Sequence, residues 1–195
     1  MHSRLPVFYH YSNEKLKLET GNANWKRKLE TQTLKNIKKR KNAITKRWFE
    51  MVVDTYPADT SRFLKSQKDP FANPVGGATI QGLDAMFDEL FGNMDRETIL
   101  TSLDPIIRIR AIQDFSPSDA TGFIFFLKEI LRDYIKDENQ PLSEWLSLES
   151  KIDALALMAF DIYMKCRETL FRIQANEEKN RTFSAFERAG LIKEN

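Results

Sequence analysis

The chain has 195 residues, of which 42% are hydrophobic and 30% charged, and its formal net charge is +2. This composition is typical of one globular domain, alone or with an extended arm, and it excludes a membrane protein and a disordered chain. No apolar run approaches the roughly 18 residues of a membrane span, and the first residues lack the apolar region of a secretory signal. We therefore expect a cytoplasmic protein, and the single Cys166 agrees with a reducing compartment.

The small net charge hides an uneven distribution. Residues 25–48 carry a charge of +9, residues 1–24 carry +1 and residues 49–195 carry −8. A basic segment on an acidic body could meet nucleic acid, an anionic membrane surface or an acidic patch on a second copy of the chain. The plainer interpretation is a solvated face that balances the acidic body. We expect residues 1–24 to form a mobile arm.

Helical periodicity dominates the rest of the chain. The first long element is predicted as an amphipathic helix from about residue 25 to residue 55, and a short helix follows Pro57. The next helix begins after Gly76-Gly77 and is expected to end at Gly92-Asn93 through a left-handed residue.

Two further helices precede the last one. The apolar residues between 99 and 112 predict a helix with a kink or a restart at Asp104-Pro105, because proline lacks the N–H donor and clashes with the preceding turn. In the SPSD string at 116–119, Ser116 can cap a helix whose first position is Pro117. The pattern that follows predicts one core helix to about Tyr134.

The last helix, from about Pro141 into the 170s, has two apolar stripes. One stripe repeats at alternate steps of four and three, and it comprises Leu148, Ile152, Leu155, Ala159, Ile162, Cys166 and Ile173. The second stripe lies roughly 200° around the helix and comprises Leu157, Phe160, Met164 and Phe171. A helix that is apolar on both sides is buried on both sides. We expect the first stripe to cover the core and the second to form a homodimer interface across a two-fold axis.

No strand pattern competes with these helices. The sequence therefore predicts an all-α protein with a bundle of about six helices in residues 25–180, a long C-terminal helix and a tail at 181–195.

The segment SQKDPFANPVGGA at 66–78 concentrates proline and glycine. Its glycines do not have the spacing of a phosphate-binding loop, GxGxxG or GxxxxGK[ST]. Since Asp69 and Asn73 each precede a proline, which disfavours helix, we interpret the segment as a corner between helices. The rim of a ligand pocket is the alternative.

Residues able to support catalysis or bind a metal are scarce. The only histidines are His2 and His10, and one cysteine is too few for a zinc site. No helix carries a histidine to hold haem, and Cys166 is more simply a small buried hydrophobe than a thiolate ligand. The carboxylates of Asp84, Asp88 and Glu89 are interpreted as a solvated face. We predict no enzyme activity, no metal and no cofactor.

The string RIRAIQDF at 108–115 places arginines among isoleucines. A buried arginine needs a partner, so Arg108 or Arg110 is expected to pair with Asp114. The alternative is an anion or ligand contact inside a sensory pocket or buried polar network. The candidate residues for that site are Arg108, Arg110, Gln113 and Asp114.

The strings KRWFEMVVDTYP, FLKSQKDPFANPVG, IIRIRAIQDFSPSDA and LALMAFDIYMKCRE resemble the N-terminal domain family of RsbRD-type co-antagonists, the regulators of the RsbT kinase. The resemblance covers about residues 30–190. It implies a bacterial sensory or regulatory module that is globin-like, non-haem and dimeric, as in the stressosome. Its signature loop corresponds to Asp69, Pro70, Phe71, Asn73, Pro74 and Gly76.

One departure from the family is visible. Its members continue from the final helix to a C-terminal STAS domain, whereas this sequence stops after NEEKNRTFSAFERAGLIKEN. Assembly through a STAS domain is therefore not expected for it.

The favoured interpretation is a regulatory module that acts by contact with an unknown protein partner in signal transduction. The alternative is a nucleic-acid-binding protein that uses the basic helix at 25–48, and steep salt dependence of DNA binding would separate the two. An enzyme is the third and least supported interpretation.

Overall fold

The computed structural model describes residues 32–67, 69, 71–113, 115–134 and 142–189. The chain divides into two compact units, residues 1–39 and 40–195. In the first unit the described element is α1 (Gln32–Lys39), whose last turn carries Lys38 and Lys39. The expected helix from 25 to 55 is interrupted at Arg40, whose backbone angles (φ −98°, ψ 13°) leave the helical region, and its residues 25–31 lie outside the described part.

The second unit is built of helices. In chain order they are α2 (Lys41–Val53), α3 (Ala58–Ser66), α4 (Pro74–Phe91), α5 (Arg96–Ile112), α6 (Pro117–Gly122), a 3-10 turn (Phe123–Phe125), α7 (Phe126–Tyr134) and α8 (Leu142–Arg188). The described residues contain no strand. The all-α prediction and the long C-terminal helix are confirmed.

The core of this unit forms where α5 packs against both α4 and α8, while α2 packs on α4 and α7. Trp48 of α2 is fully buried, and its indole Nε1 donates to the carbonyl oxygen of Phe123 at 2.8 Å. The remaining core is aliphatic and aromatic, for example Leu83, Phe87, Leu103, Ile107, Ile130 and Ile152.

The restart considered at Pro105 does not occur, because α5 runs through this residue from Arg96 to Ile112. Tertiary packing explains the difference. Ile106 and Ile107 next to the proline are buried, and a Cβ added to Gly82 of α4 would lie 2.6 Å from the carbonyl oxygen of Ser102. The two helices thus pack almost backbone to backbone, which compensates for the one missing N–H donor.

The helix expected after the SPSD string is divided. Ser116 caps α6 as predicted, since its Oγ accepts from the backbone N–H of Asp119 at 3.1 Å, and Pro117 is the first helical residue. The 3-10 turn then separates α6 from α7. A side-chain donor that enters the helical ladder distorts it, and here the Trp48 indole bonds the carbonyl of Phe123.

The end of α4 also differs from the expectation. The left-handed residue is Met94 (φ 55°), and neither Gly92 nor Asn93 takes that conformation. The backbone N–H groups of Gly92 and Met94 both donate to the carbonyl of Glu89, at 3.1 and 3.2 Å. The Glu89 carbonyl therefore stabilises the turn between α4 and α5.

Candidate functional site

Asn73 organises the connection between α3 and α4. Its side chain is buried, and its Oδ1 accepts from the backbone N–H of Gly76 at 2.8 Å, which caps α4 ahead of Pro74. Its Nδ2 donates to the carbonyl oxygens of Leu64 and Gln67, at 3.0 and 2.9 Å. One side-chain amide thus bonds backbone groups that have no partner within their own helix, at the end of α3 and at the start of α4.

The rest of the predicted signature loop supports that amide. A Cβ added to Gly76 would clash with Asn73 Nδ2, so glycine leaves the room that the amide needs. The Asp69 carboxylate accepts from the backbone N–H of Phe71 at 3.0 Å, and the Asp69 carbonyl accepts from that of Asn73 at 2.8 Å. Pro70 lies outside the described residues. The Phe71 side chain is 97% exposed at the tip of this braced corner.

Arg110 of α5 is completely buried in the middle of the second unit. Its NH2 group donates to Thr55 Oγ1 at 2.6 Å and to the Val52 carbonyl at 3.1 Å, and its NH1 group donates to the Asp119 carbonyl at 2.8 Å. Three rings surround the guanidinium carbon, with centroids 5.0, 4.6 and 5.1 Å away; they belong to Tyr56, Phe115 and Phe123. We call Arg110 and these three residues the ring cluster.

The ring cluster stabilises a buried charge with dipoles and ring faces. Each hydrogen bond described for Arg110 ends on a carbonyl or hydroxyl oxygen, and two of them lie at the C-terminal end of α2, the negative end of its dipole. The ring faces add cation–π attraction. Desolvation is the dominant effect and lowers the pKa of Arg110, and burial raises the pKa of Tyr56. Arg110 Nε is buried without a hydrogen-bond partner.

The other predicted members of the polar network lie elsewhere. Arg108 points to solvent and forms a two-bond ion pair with Asp104, at 2.7 and 3.0 Å. Gln113 is exposed, and its backbone N–H donates to the Ile109 carbonyl. Asp114 lies outside the described residues. The structure therefore separates Arg108 and Gln113 from Arg110, which finds partners far away in sequence.

The two stripes of α8 lie in different environments. The first stripe is buried from Leu148 to Cys166, and only Ile173, at its end, is exposed. The second stripe is solvent-exposed along its whole length; Leu157, Phe160, Met164 and Phe171 all retain at least 39% of their accessible surface. We call these four residues the α8 face.

The α8 face continues beyond the residues that the sequence singled out. Every described residue from 171 to 188 is exposed, so this part of α8 covers no described part of the unit. At 100° per residue, Ala175, Thr182 and Phe186 fall within the same sector of about 80° as the α8 face. Glu168 and Glu178 interrupt that sector with charge. The sequence signal that could have identified Phe186 is the helical spacing of the second stripe, continued for about four turns beyond Phe171.

Phe125 of the 3-10 turn is linked to α8 through Lys128 and had no sequence signal, since it belonged to a predicted core helix. Its ring is half exposed and lies 5.5 Å from Lys128 Nζ. That ammonium pairs with Asp153 of α8 at 2.6 Å. Asp153 lies one helical turn before Leu157, at the start of the face.

Polar contacts tie α8 to the ends of other elements. Lys151 Nζ donates to the Leu90 carbonyl at the end of α4, at 2.8 Å, and Arg167 NH1 donates to the Ala111 carbonyl at the end of α5, at 3.2 Å. The Tyr163 hydroxyl donates to the Phe115 carbonyl at 2.7 Å. These cations complement the negative ends of α4 and α5.

Two shallow clefts open on the surface of this unit. One is lined by Asp54, Tyr56, Ala58, Ser61, Arg62 and Lys65. Within it, hydrogen bonds from Lys65 and Ser61 lower the pKa of the Asp54 carboxyl. The other lies between α5 and α8 and includes Cys166, whose thiol pKa is raised by burial. A raised pKa disfavours the thiolate and hence nucleophilic chemistry.

Several of the acidic and basic side chains singled out in the sequence are engaged in contacts within the second unit. Lys41 pairs with Asp88 and Arg47 with Asp133, both at 2.6 Å, and the Glu89 carboxylate accepts from the backbone N–H of Asp95. Among the residues that the structure describes, no group of His, Cys, Asp or Glu could hold a metal ion. In that same part of the chain, no helix is long and apolar enough to cross a membrane.

Comparison with known proteins adds one match. The family model described as the RsbT co-antagonist protein rsbRD N-terminal domain matches residues 42–178, which extend from α2 into the exposed part of α8. No curated protein and no solved structure matches the chain.

Proposed function

Because the chain belongs to the family of the rsbRD N-terminal domain, a family of regulatory domains in signalling, we propose that it is a non-catalytic, sensor-like module that acts through protein contacts as a homodimer. Its contact surface is the α8 face, and its regulatory partner is another protein. We propose a cytoplasmic location, to which the buried free thiol of Cys166 is suited.

The observation that carries this proposal is the exposure of four large apolar side chains in one row. Isolated exposed apolar residues are ordinary, but several large ones on the same face of one helix are typical of an interaction surface. The row lies on the side of α8 opposite its buried stripe, so it is not needed for the core of its own unit.

A second copy of the chain is the partner that fits this row. Two identical faces meet across a two-fold axis without requiring any other sequence. The exposed part of α8 gives further support, because helices in proteins gain most of their stability from packing one face against another element. Residues 171–188 extend about 27 Å at 1.5 Å per residue, and pairing them with the same segment of a second copy would stabilise both.

The experiment that tests the dimer is light scattering coupled to size-exclusion chromatography, on the whole chain and two variants. The wild-type protein should have twice the 22.8 kDa chain mass. Phe160→Asp should be monomeric, since it places two carboxylates in the interface and should raise the dissociation constant by at least about 100-fold. Phe63→Asp is the matched control, because Phe63 of α3 is similarly exposed (49% against 43%) and lies outside the α8 face.

Three results would contradict the dimer proposal. They are a wild-type monomer at micromolar concentration, a Phe160→Asp dimer, and equal loss of the dimer in both variants. Circular dichroism of each variant must first give the wild-type helical signal, so that loss of the dimer is not loss of the fold.

We further propose that the module works without haem. The region matched by the family, residues 42–178, contains no histidine to serve as a proximal ligand. Protein purified from cells supplied with a haem precursor should lack a Soret absorption band. A Soret band that copurifies with the chain at one haem per subunit would refute this part of the proposal.

A further inference from the structure

The ring cluster and the α8 face are joined by two short connections. The first runs through Tyr163, whose buried hydroxyl donates to the Phe115 carbonyl at 2.7 Å. Phe115 supplies one wall of the ring cluster. Tyr163 directly precedes Met164 of the α8 face, so any shift of α8 at that position moves a group bonded to the cluster.

The second connection is the 3-10 turn. The Phe123 ring forms another wall of the ring cluster, 5.1 Å from the guanidinium carbon of Arg110. Phe125, two residues later, is half exposed and is linked through Lys128 to Asp153, which lies one helical turn before Leu157 of the α8 face. Phe123 and Phe125 belong to the same 3-10 turn. A contact made by the exposed Phe125 therefore acts on the turn that positions the buried Phe123 ring.

The ring cluster also contacts the C-terminal end of α2. Arg110 bonds the Val52 carbonyl and the Thr55 hydroxyl at the end of α2. The third ring, Tyr56, follows directly and packs edge-on against Phe115, with centroids 5.1 Å apart. The C-terminal end of α2 is thus held by a side chain whose surroundings depend on α8 and the 3-10 turn.

We propose that the ring cluster couples the α8 face to the C-terminal end of α2, so that association on that face and closure of the three rings round Arg110 stabilise each other. This inference rests on the proposed dimer. A buried cation tolerates few arrangements, since a small displacement of one ring admits water or leaves donors unpaired. Packed interiors respond to such displacements by changing between discrete arrangements. Coupling of this kind is reciprocal, so each site must affect the other.

The first arm of the test loosens the cluster and measures the dimer. Tyr163→Phe removes one hydroxyl and leaves the ring, and we expect the dimer dissociation constant to rise by about 5-fold or more in sedimentation velocity. The control is Ile44→Val, which removes one buried methylene from α2, away from the cluster, at a comparable cost in stability. The control should leave the dissociation constant unchanged.

The second arm removes the dimer and measures the far end of the cluster. The backbone N–H groups of Asp54, Thr55 and Tyr56 are hydrogen-bonded at the end of α2. Their hydrogen exchange should be at least about 3-fold faster in monomeric Phe160→Asp than in the wild-type dimer. The N–H of Gly77, at the start of α4, is an internal control and should exchange equally in both.

The outcomes separate this inference from the proposed function. A dimer whose constant is unchanged by Tyr163→Phe, or unchanged exchange at 54–56 in the monomeric variant, overturns the coupling and leaves the dimer standing. A wild-type monomer overturns both. An equal rise in the dissociation constant for Tyr163→Phe and Ile44→Val also overturns the coupling, because it reduces the effect to general loss of stability.

Discussion

At Arg110 the chemistry of the guanidinium group matters more than its charge. Its planar fork donates in several fixed directions, and here the acceptors are two backbone carbonyls and one hydroxyl, which come from α2, the residues just after it, and α6. A lysine in its place would offer one compact ammonium group, which cannot reach all three oxygens in that geometry. The ammonium group would also fit less well between the flat rings of the cluster, which would further destabilise the protein.

We therefore expect Arg110→Lys to lower the free energy of unfolding by about 2–4 kcal/mol, because it leaves buried acceptors unpaired. Urea denaturation followed by circular dichroism measures this loss. Arg108→Lys is the control on the same helix. Its ion pair with Asp104 is largely exposed, so the change should cost less than about 0.5 kcal/mol. Similar losses for the two variants would refute this account of the ring cluster.

At the scale of elements, single side chains control how successive helices are joined. Asn73 is the clearest example, since its amide bonds two carbonyls at the C-terminal end of α3 and one N–H, that of Gly76, in the first turn of α4. Glu89 has a similar role after α4. Its carbonyl accepts from the backbone N–H groups of Gly92 and Met94, and its carboxylate accepts from that of Asp95. The joints between helices are therefore determined by polar groups, while the helix faces are determined by apolar ones.

Asn73→Ala should destabilise the protein by about 2–4 kcal/mol, because it removes the cap of α4 and leaves two carbonyls of α3 without their donor. The control is Asp95→Ala, which removes the cap of α5 at an exposed site where the bonds are local to Thr98. Thermal unfolding of the two variants should give a distinctly larger fall in the midpoint for Asn73→Ala. An equal fall would mean that the bonds to α3 contribute nothing.

At the scale of the whole molecule, the basic segment is partly neutralised by the acidic body. Lys41 and Arg47 are held in ion pairs with Asp88 and Asp133, and residues 49–195 carry a charge of −8 that repels phosphate. Both features favour a structural use of the basic residues over the nucleic-acid alternative.

We expect the full chain to bind a labelled DNA duplex weakly, with an affinity that falls less than about 10-fold between 50 and 200 mM salt. Fluorescence anisotropy measures this. The double variant Asp88→Asn/Asp133→Asn releases both cations and should bind more tightly, which makes it a positive control. A fall of about 10³-fold or more for the wild-type protein would indicate six or more phosphate contacts and would favour nucleic-acid binding instead.

The apolar pattern of the sequence was enough to predict the all-α fold, the buried stripe of α8 and the Ser116 cap, because each depends on residues close together in the chain. Periodicity records which face of a helix avoids water, and a cap needs only its own first turn. The same locality explains the errors at Pro105 and at the 3-10 turn. There, packing against α4 and the Trp48 indole overrode the local preference.

The tertiary structure alone decided which arginine is buried and what surrounds it. The sequence offered Arg108 and Arg110 on equal terms, and its nearest acid, Asp114, was the expected partner. The acceptors that hold Arg110 include Val52 and Thr55, which are 58 and 55 positions away, and the carbonyl that bonds Trp48 is 75 positions away. Such contacts depend on how whole helices pack, and the free energy of that packing is shared among many side chains. A short stretch of sequence therefore does not determine these contacts.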